Sequence, residues 1–316
     1  MLSLLLSACA APSFNAHEHP LEPTLRQWQP DEPPRAVILA LHSFGDFSAA
    51  YDQLGPWFAD AGIYLESYDQ AGFGARQFEG RWAGETRLVE EAARRIEQLS
   101  SAYHQPVFVM GESLGGAVAI LAALEQPDRV AGLILSGPAV REGIRLRYGW
   151  NLAIASAATL APGYRVSVER NPDNPLLSPH SAQRLAYDDR VMREVRLDSY
   201  WGLIKLADTA SDQVPALTQW DIPVLLLYGE KDQSVPAAGI QALRTHLQGQ
   251  VHYHQIEQGP HLLLQGKQWP ATSQLILQWL EEQTTPHPVV TGQKITGPST
   301  NRLTIGPASQ LQHRSD

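Results

Sequence analysis

The feature that most constrains the fold of this chain is a regular alternation of short apolar runs with longer amphipathic stretches. The runs are rich in leucine or β-branched residues, which is typical of strands in a sheet covered on both faces. They are AVILALHS (36–43), IYLESYD (63–69), PVFVMG (106–111), VAGLILSG (130–137), IPVLLLYG (222–229) and VHYHQI (251–256). Stretches with helical spacing lie at 51–61, 85–102, 117–124, 237–247 and 271–282. This order predicts an α/β fold with a mostly parallel central sheet flanked by helices.

The alternation is interrupted once, between Val140 and Asp221. No convincing strand occurs there, and two amphipathic stretches replace the strand–helix units. The residues that share a predicted helical face are Trp150, Ile154, Ala158 and Ala161 in the first stretch, and Leu197, Tyr200, Trp201 and Ile204 in the second. An insertion of this length between two sheet strands predicts a helical cap at 141–220. The core is then formed by 36–140 and 221–283.

The two ends of the chain differ from the part between them. The first residues read MLSLLLSACAA, and Leu6-Ser7-Ala8-Cys9 resembles the lipobox of bacterial lipoproteins. We therefore expect 1–9 to be a signal segment, Cys9 to be lipidated and the protein to be anchored to a membrane of the bacterial cell envelope. Ala10 is compatible with sorting to the outer membrane, and without a signal the protein would be cytoplasmic. Residues 10–35 are predicted to be a tether, and the polar residues 284–316 a disordered tail.

Composition and motif content exclude several classes of function. With 33 acidic against 24 basic residues the net charge is −9, and no lysine or arginine cluster suits a nucleic-acid backbone. Cys9 is the only cysteine, so an internal disulfide and a thiolate metal cluster are excluded. The chain has no G-x-x-x-x-G-K-[ST] and no H-E-x-x-H, and Gly72-Phe73-Gly74 lacks the third glycine of a dinucleotide motif. We expect neither a metal nor a cofactor.

A candidate nucleophile lies in Gly111-Glu112-Ser113-Leu114-Gly115, which follows a predicted strand and opens a predicted helix. This is the context of a nucleophile elbow, a sharp turn that exposes the serine hydroxyl at the carboxyl edge of a sheet. Small residues are needed beside the serine, and Gly111 and Gly115 supply them. The alternative is an ordinary glycine-rich turn in which Ser113 has no chemical role.

A serine hydroxyl needs a base, and the base needs an orienting carboxylate. After the strand that ends in LLLYG comes Glu230-Lys231-Asp232, which places Asp232 in a loop at the carboxyl edge. After the last strand comes Gly259-Pro260-His261, again at that edge. These positions favour Asp232 as the acid and His261 as the base. The rival acids are Glu230, Asp212 and Asp221, and the other nearby histidines are His252 and His254, which alternate along a strand.

The negative charge that develops on an attacked carbonyl needs preorganised N–H donors. The backbone N–H of Leu114, the residue after the serine, is one candidate. The loop His42-Ser43-Phe44-Gly45-Asp46 follows the first strong strand, and the backbone N–H of Phe44 is the second candidate. The alternative is that this loop only ends the strand.

Together these motifs give the chain a resemblance to a known group of proteins. From about Leu25 to Glu282 it is similar to the α/β-hydrolase superfamily, and in particular to its branch of monoglyceride lipases, lysophospholipases and serine aminopeptidases. The motifs that carry the resemblance are ALHSFGD, YDQAGFG (68–74), GESLGG, LLLYGEKD, GPH and the position of the cap after LILSGPAV. The resemblance implies a Ser113–His261–Asp232 triad with Phe44 and Leu114 as the oxyanion hole. The chain departs from the family in two places, where Ser43 replaces a glycine and Gln70 a basic residue.

The expected function is hydrolysis of carboxylic esters through an acyl-enzyme. The resemblance and the apolar cap together favour lipid-like substrates such as monoacylglycerols or lysophospholipids, and short acyl chains remain open. An aminopeptidase or amidase on the same triad is the alternative, and it would need cap carboxylates such as Asp173, Asp188 and Asp189 to hold a free amine. A non-catalytic binding protein is a third reading. Dehalogenases and epoxide hydrolases are excluded because they need a carboxylate at position 113.

Overall fold

A computed structural model describes residues 23–141 and 148–284, and side chains throughout these ranges except at 148–150. Cys9, residues 10–22 of the predicted tether and nearly all of the predicted tail lie outside the described residues, as does the side chain of Trp150. No described helix is long and apolar enough to cross a membrane.

The core is a seven-stranded sheet in the order β1-β3-β2-β4-β5-β8-β9. Its strands are β1 (Leu25–Trp28), β2 (Ala36–Leu41), β3 (Ile63–Tyr68), β4 (Val107–Glu112), β5 (Val130–Ser136), β8 (Val224–Gly229) and β9 (Val251–Ile256). All neighbours pair in parallel except β1, which pairs antiparallel with β3 at the edge. The predicted α/β fold with a mostly parallel sheet is confirmed. The tether prediction is wrong for 25–28, because β1 adds to the free edge of β3.

The sheet is buried on both faces, as the continuous apolar runs predict. Every residue of β2 is buried, and its side chains alternate between two separate apolar layers. Val37, Leu39 and Leu41 pack into one layer, whereas Ile38 and Ala40 pack into the other. Helices cover both faces, so the strands do not need a polar side.

Eight helices occur among the described residues. They are α1 (Leu54–Asp60), α2 (Glu85–Tyr103), α3 (Leu114–Glu125), α4 (Tyr148–Leu160), α5 (Pro179–Tyr187), α6 (Leu197–Gln213), α7 (Ala237–His246) and α8 (Trp269–Thr284). Five of them, α1, α2, α3, α7 and α8, coincide with the predicted helical stretches to within a few residues. Helix α3 follows β4 directly and has ten buried residues, so it is the central helix behind the candidate elbow.

The region predicted as a cap contains more structure than the sequence indicates. It holds α4, α5 and α6, and also two short strands, β6 (Arg165–Ser167) and β7 (Glu194–Arg196), which pair antiparallel. The expectation of two helices and no strand is therefore wrong. Strands of three exposed or half-buried residues carry too little apolar pattern to be found from sequence.

The predicted helical faces of this region need correction. On α6, Ile204 is buried but Tyr200 is 43% exposed, and the buried face is made mainly of small residues. Gly202 lies on this face, and the indole ring of Trp82 packs directly against its backbone, so that a side chain at this position would clash with the ring. On α4, Ala158 is buried, whereas Ala161, just beyond the helix, is exposed. Close approach of small residues, rather than a stripe of large ones, positions α6.

Candidate active site

Ser113 stands at the turn between β4 and α3. Its backbone has φ 54° and ψ −114°, a left-handed conformation that is rare for a residue with a side chain. The turn is held by main-chain hydrogen bonds from Ser113 to Ser136 (3.0 Å) and from Ala139 to Ser113 (2.9 Å). Such strain is typical of a nucleophile elbow, in which the backbone is forced into a shape that presents the serine hydroxyl.

The flanking glycines are required by close backbone contacts. A Cβ atom on Gly111 would lie 2.2 Å from the carbonyl oxygen of Gly115. A Cβ atom on Gly115 would lie 1.9 Å from the carbonyl oxygen of Leu41 and 2.9 Å from that of His42. The first contact closes the turn, and the second seats the 42–46 loop against the start of α3.

Asp232 and His261 form a hydrogen-bonded pair. His261 Nδ1 lies 2.8 Å from Asp232 Oδ2, and the side chain of Asp232 is fully buried. The other carboxylate oxygen, Oδ1, accepts from the backbone N–H groups of Ser234 (2.7 Å) and Val235 (3.0 Å). The carboxylate is therefore fixed on one side by its own loop, and it orients the imidazole on the other.

The pair and the serine meet at the end of β5. A Cβ atom on Gly137 would lie 3.1 Å from Asp232 Oδ2 and 3.3 Å from His261 Nδ1, and the preceding Ser136 binds the N–H of Ser113. No hydrogen bond joins the Ser113 hydroxyl to the His261 ring in the part of the chain that the structure describes. In unliganded hydrolases this bond is often long and forms only with substrate.

The rival acids and histidines do not contribute to this pair. Glu230 accepts a hydrogen bond from the N–H of Gln258 (2.9 Å), and Asp221 accepts one from the Gln250 amide (3.3 Å). His252 and His254 are both exposed on β9. Of the candidates considered from sequence, only Asp232 contacts the ring of His261.

The two backbone N–H groups considered for the oxyanion hole have no acceptor among the described residues. Among the described residues, neither the N–H of Phe44 nor that of Leu114 makes a hydrogen bond. Both belong to segments that the Gly115 contact holds together. Unused donors at this position suit an oxyanion hole, which must keep its hydrogen bonds for the transition state.

The comparisons with known proteins agree with this geometry. Residues 32–268 match the family described as serine aminopeptidase, S33. The chain belongs to this family of α/β-hydrolases. Over 267 residues it is 25% identical to the monoglyceride lipase of Homo sapiens, which covers 82% of this chain and 86% of that enzyme. A phospholipase of Bacillus subtilis (strain 168) is 26% identical, covering 66% and 80% of the two chains.

Solved structures agree with the fold of this S33-family hydrolase. The crystal structure of the monoacylglycerol lipase of Paleococcus ferrophilus superposes with a TM-score of 0.66 at 22% identity, covering 83% of this chain and all of that one. The resemblance predicted from the motifs is confirmed, and so is the enzyme class, a carboxylic ester hydrolase.

In this S33-family hydrolase the 42–46 loop is held in place by hydrogen bonds from Gln70. Gln70 donates from its side-chain amide to the carbonyl oxygen of His42 (2.8 Å), and its backbone N–H donates to His42 Nε2 (3.0 Å). Since Nε2 accepts, the proton of the ring lies on Nδ1 and is donated to the carbonyl of Ser43 (2.9 Å). Burial lowers the pKa of His42, which keeps the ring neutral. Gln70 thus supports the loop through both its side chain and its backbone N–H.

A buried polar network, which sequence reasoning missed, joins the loops around the site. Asp46 accepts two hydrogen bonds from Arg184 of α5 (2.6 and 2.8 Å), and Gln265 donates to both Asp46 (3.0 Å) and Glu112 (2.9 Å). The N–H of Leu264 also donates to Glu112 (3.0 Å). The network therefore connects the cap, the 42–46 loop, the loop after His261 and the residue before Ser113.

The pKa values of the two carboxylates of this network are shifted in opposite directions. Burial alone would raise the pKa of Asp46, but the charge and hydrogen bonds of Arg184 outweigh it and hold that pKa below its usual value. Burial raises the pKa of Glu112 from 4.5 to about 7, although Gln265 and Leu264 oppose the shift. Asp46 is consequently ionised at neutral pH, whereas Glu112 is close to its midpoint. The sequence feature that could have indicated this network is Glu112, a charged residue at the end of an otherwise apolar strand.

Proposed function

We propose that this enzyme hydrolyses carboxylic esters through an acyl-enzyme on Ser113. His261 takes the proton of the Ser113 hydroxyl and later donates it to the departing alcohol, and Asp232 holds the ring in the required tautomer and stabilises the imidazolium. The N–H groups of Phe44 and Leu114 stabilise the oxyanion. Water, activated by His261, then releases the acid. The single observation that carries this proposal is the pairing of a left-handed Ser113 at a strand–helix turn with the Asp232–His261 hydrogen bond beside it.

We propose lipid-like esters, such as monoacylglycerols or lysophospholipids, as the substrates. Relatives named monoglyceride lipase and phospholipase support this choice. The cap adds a second line of support, since it exposes large apolar side chains to solvent. They are Leu152 (68% exposed), Leu160 (86%), Tyr164 (63%) and Val166 (48%). Apolar groups of this kind suit contact with an acyl chain or a lipid surface.

The aminopeptidase alternative finds no support in the three cap carboxylates considered from sequence, all of which lie in the described part of the cap. A free amine would need an unpaired carboxylate near the site, but Asp188 is paired with Arg190 (2.8 Å) and Asp189 with Arg193 (2.7 Å). Asp173 is exposed. The three cap carboxylates considered from sequence therefore do not form a site for a free amine.

The proposal is tested by incubating the protein with a fluorophosphonate probe and with p-nitrophenyl esters of rising acyl length. We expect labelling of Ser113 and turnover of the esters, both lost in Ser113→Ala. A protein that takes up no probe and hydrolyses no ester would contradict the proposal and favour a binding role.

We further propose that lipidation of Cys9 anchors the enzyme in the bacterial cell envelope. The support is the sequence Leu6-Ser7-Ala8-Cys9, which lies outside the described residues. Two or more acyl chains would hold the protein on a membrane durably, since each buried methylene contributes about 0.8 kcal/mol. Mass spectrometry of the protein from its native membrane tests this, and an unmodified Cys9 in a chain that starts at Met1 would contradict it.

A further inference from the structure

Arg170 is a cap residue that lies over the 42–46 loop. Its Nη2 atom is 3.7 Å from the position that a Cβ atom would take on Gly45, the residue that follows Phe44 in the chain. The segment that carries Arg170 is held in place by the backbone bond from Val168 to Arg193 (2.8 Å), and Met192 binds the carbonyl of Gly45 (2.8 Å). The guanidinium is thus placed beside the candidate oxyanion hole by the backbone of two neighbouring segments.

This guanidinium has no partner. Among the described residues Arg170 makes no hydrogen bond and no ion pair, and its Nε atom is buried without an acceptor. Burial lowers the pKa of Arg170, and the charge of Arg184 acts in the same direction while Asp46 opposes it. Arg170 as a whole is half-buried, but its Nε atom is a buried donor without an acceptor. Such a donor is costly, and a ligand that accepts from the guanidinium would offset that cost.

The nearest carboxylate cannot provide that compensation. Asp46 Oδ1 already accepts from Arg184 (2.6 Å) and from the N–H of Phe47 (2.9 Å), and Oδ2 accepts from Arg184 (2.8 Å) and Gln265 (3.0 Å). Four accepted bonds use the full capacity of a carboxylate. Asp46 therefore has no free acceptor for Arg170, and the donors of Arg170 stay unused.

We propose that Arg170 binds an anionic oxyacid group, such as a phosphate, that the ester substrate carries. This inference rests on the proposed ester hydrolysis and narrows the proposed lipid-like esters to those that carry an anionic group. The planar guanidinium donates in a fork that matches the oxygens of a phosphate, and desolvation strengthens such bonds. Binding requires no step beyond ester hydrolysis, because the phosphate stays on the alcohol that leaves.

The experiment compares two esters that differ only in the phosphate, monooctanoylglycerol and monooctanoylglycerol phosphate, at concentrations where both are monomeric. We expect the wild-type enzyme to prefer the phosphate ester. Arg170→Ala should lower kcat/KM for that ester about ten-fold, mainly through KM, as loss of a charge-assisted contact predicts. For the neutral ester the change should stay within about two-fold. Arg170→Lys should be intermediate, since it keeps the charge but loses the fork.

The matched control is Arg165→Ala, which removes a more exposed arginine of the same segment that pairs with Glu194. It should leave both esters unaffected, and all variants should melt at similar temperatures. Equal losses for the two esters in Arg170→Ala would overturn the proposal, because Arg170 would then only support the loop. An unchanged kcat/KM for both esters would overturn it too.

A binding measurement separates this proposal from the proposed function. Calorimetric titration with glycerol phosphate and with inorganic phosphate should give binding of the first to the wild-type enzyme that Arg170→Ala abolishes. Equal binding of inorganic phosphate would show that the free anion suffices, without the glycerol part. If neither ester is hydrolysed, ester hydrolysis fails while this titration still decides the role of Arg170. No binding of either compound to the wild-type enzyme would overturn the anion site.

Discussion

At the scale of single residues, the chemistry depends on how Asp232 is held. Its Oδ1 atom is occupied by two loop N–H groups, which leaves Oδ2 for His261. We expect Asp232→Asn to lower kcat about 10³–10⁴-fold, because a neutral amide neither fixes the correct tautomer nor stabilises the imidazolium. Steady-state turnover of a p-nitrophenyl ester measures this, with the melting temperature as a check on folding.

The control for this prediction is Glu230→Gln, since Glu230 was the rival acid in the sequence. Its carboxylate contacts Gln258 rather than the histidine, so turnover should stay within about two-fold of wild type. A greater loss in Glu230→Gln than in Asp232→Asn would reverse the assignment of the acid.

Glu112 gives a second residue-scale prediction, which concerns stability and pH. Its pKa is about 7 in the folded protein against 4.5 ordinarily, so the folded state binds more protons than the unfolded state between these values. The carboxylate therefore destabilises the fold increasingly as pH rises through this window, by at most about 3 kcal/mol. Glu112→Gln removes the titration.

The measurement is the melting temperature of both proteins between pH 5 and pH 8. The difference, Glu112→Gln minus wild type, should increase as pH rises, and Glu281→Gln on the exposed surface serves as the control. A difference that does not increase over this range would contradict the raised pKa of Glu112.

The residues of the candidate triad were open to prediction, whereas their surroundings were not. Ser113, Asp232 and His261 each follow a recognisable strand, so the parallel sheet itself brings them to one edge. Glu112, Gln265 and Arg184 meet only through tertiary packing, with partners as far apart as positions 46 and 265. Nothing in local spacing encodes such a contact.

At the scale of elements, the junction between β2 and α3 is set by Gly115. Because a Cβ atom there would lie 1.9 Å from the Leu41 carbonyl, Gly115→Ala must displace either the 42–46 loop or the start of α3. We expect a loss of about 1–3 kcal/mol in the free energy of unfolding, as in other overpacked sites. Activity should fall as well, since Phe44 lies on the displaced loop.

Chemical denaturation and ester turnover test this prediction. Gly163→Ala is the control, because a Cβ atom there would approach only the flexible end of Arg196, at 3.4 Å. Equal stability of the two variants would mean that the β2–α3 contact does not constrain the loop.

The contact of α5 with the 42–46 loop is the second element-scale prediction. The Arg184–Asp46 pair is almost fully buried, so removing one partner leaves an uncompensated charge. Arg184→Met should destabilise the protein by about 3–5 kcal/mol. In contrast, Arg193→Met breaks an exposed pair and should cost under about 1 kcal/mol. Urea titrations of the two variants check this, and similar midpoints would contradict it.

The elements that sequence reasoning found are those with a strong apolar period. Strands β2, β4, β5 and β8 are mostly continuous apolar runs, so the local sequence pattern was enough to predict them. The edge strand β1 was missed because its residues are exposed or half-buried and their pattern is that of a linker. The buried face of α6 was predicted wrongly because small residues, rather than large apolar ones, form most of it. Both cases depend on what packs against the element.

At the scale of the whole molecule, topology explains why distant residues can act together. The carboxyl ends of β2, β4, β5, β8 and β9 lie at one edge of the sheet, so the loops that follow them converge. The candidate oxyanion loop, the serine, Gly137, the acid and the base follow these strands in turn. The cap, inserted after β5, then adds arginines above the same edge.

The central claim is that Ser113 forms a covalent acyl intermediate with the help of the Asp232–His261 pair. The most direct test is acid quenching during turnover of a slowly deacylated ester, followed by peptide mass spectrometry. The account predicts an acyl group on the peptide that contains Ser113, and none in Ser113→Ala or His261→Ala. Continued turnover of the ester by Ser113→Ala, or an acyl group found on a different residue of the wild-type enzyme, would contradict it.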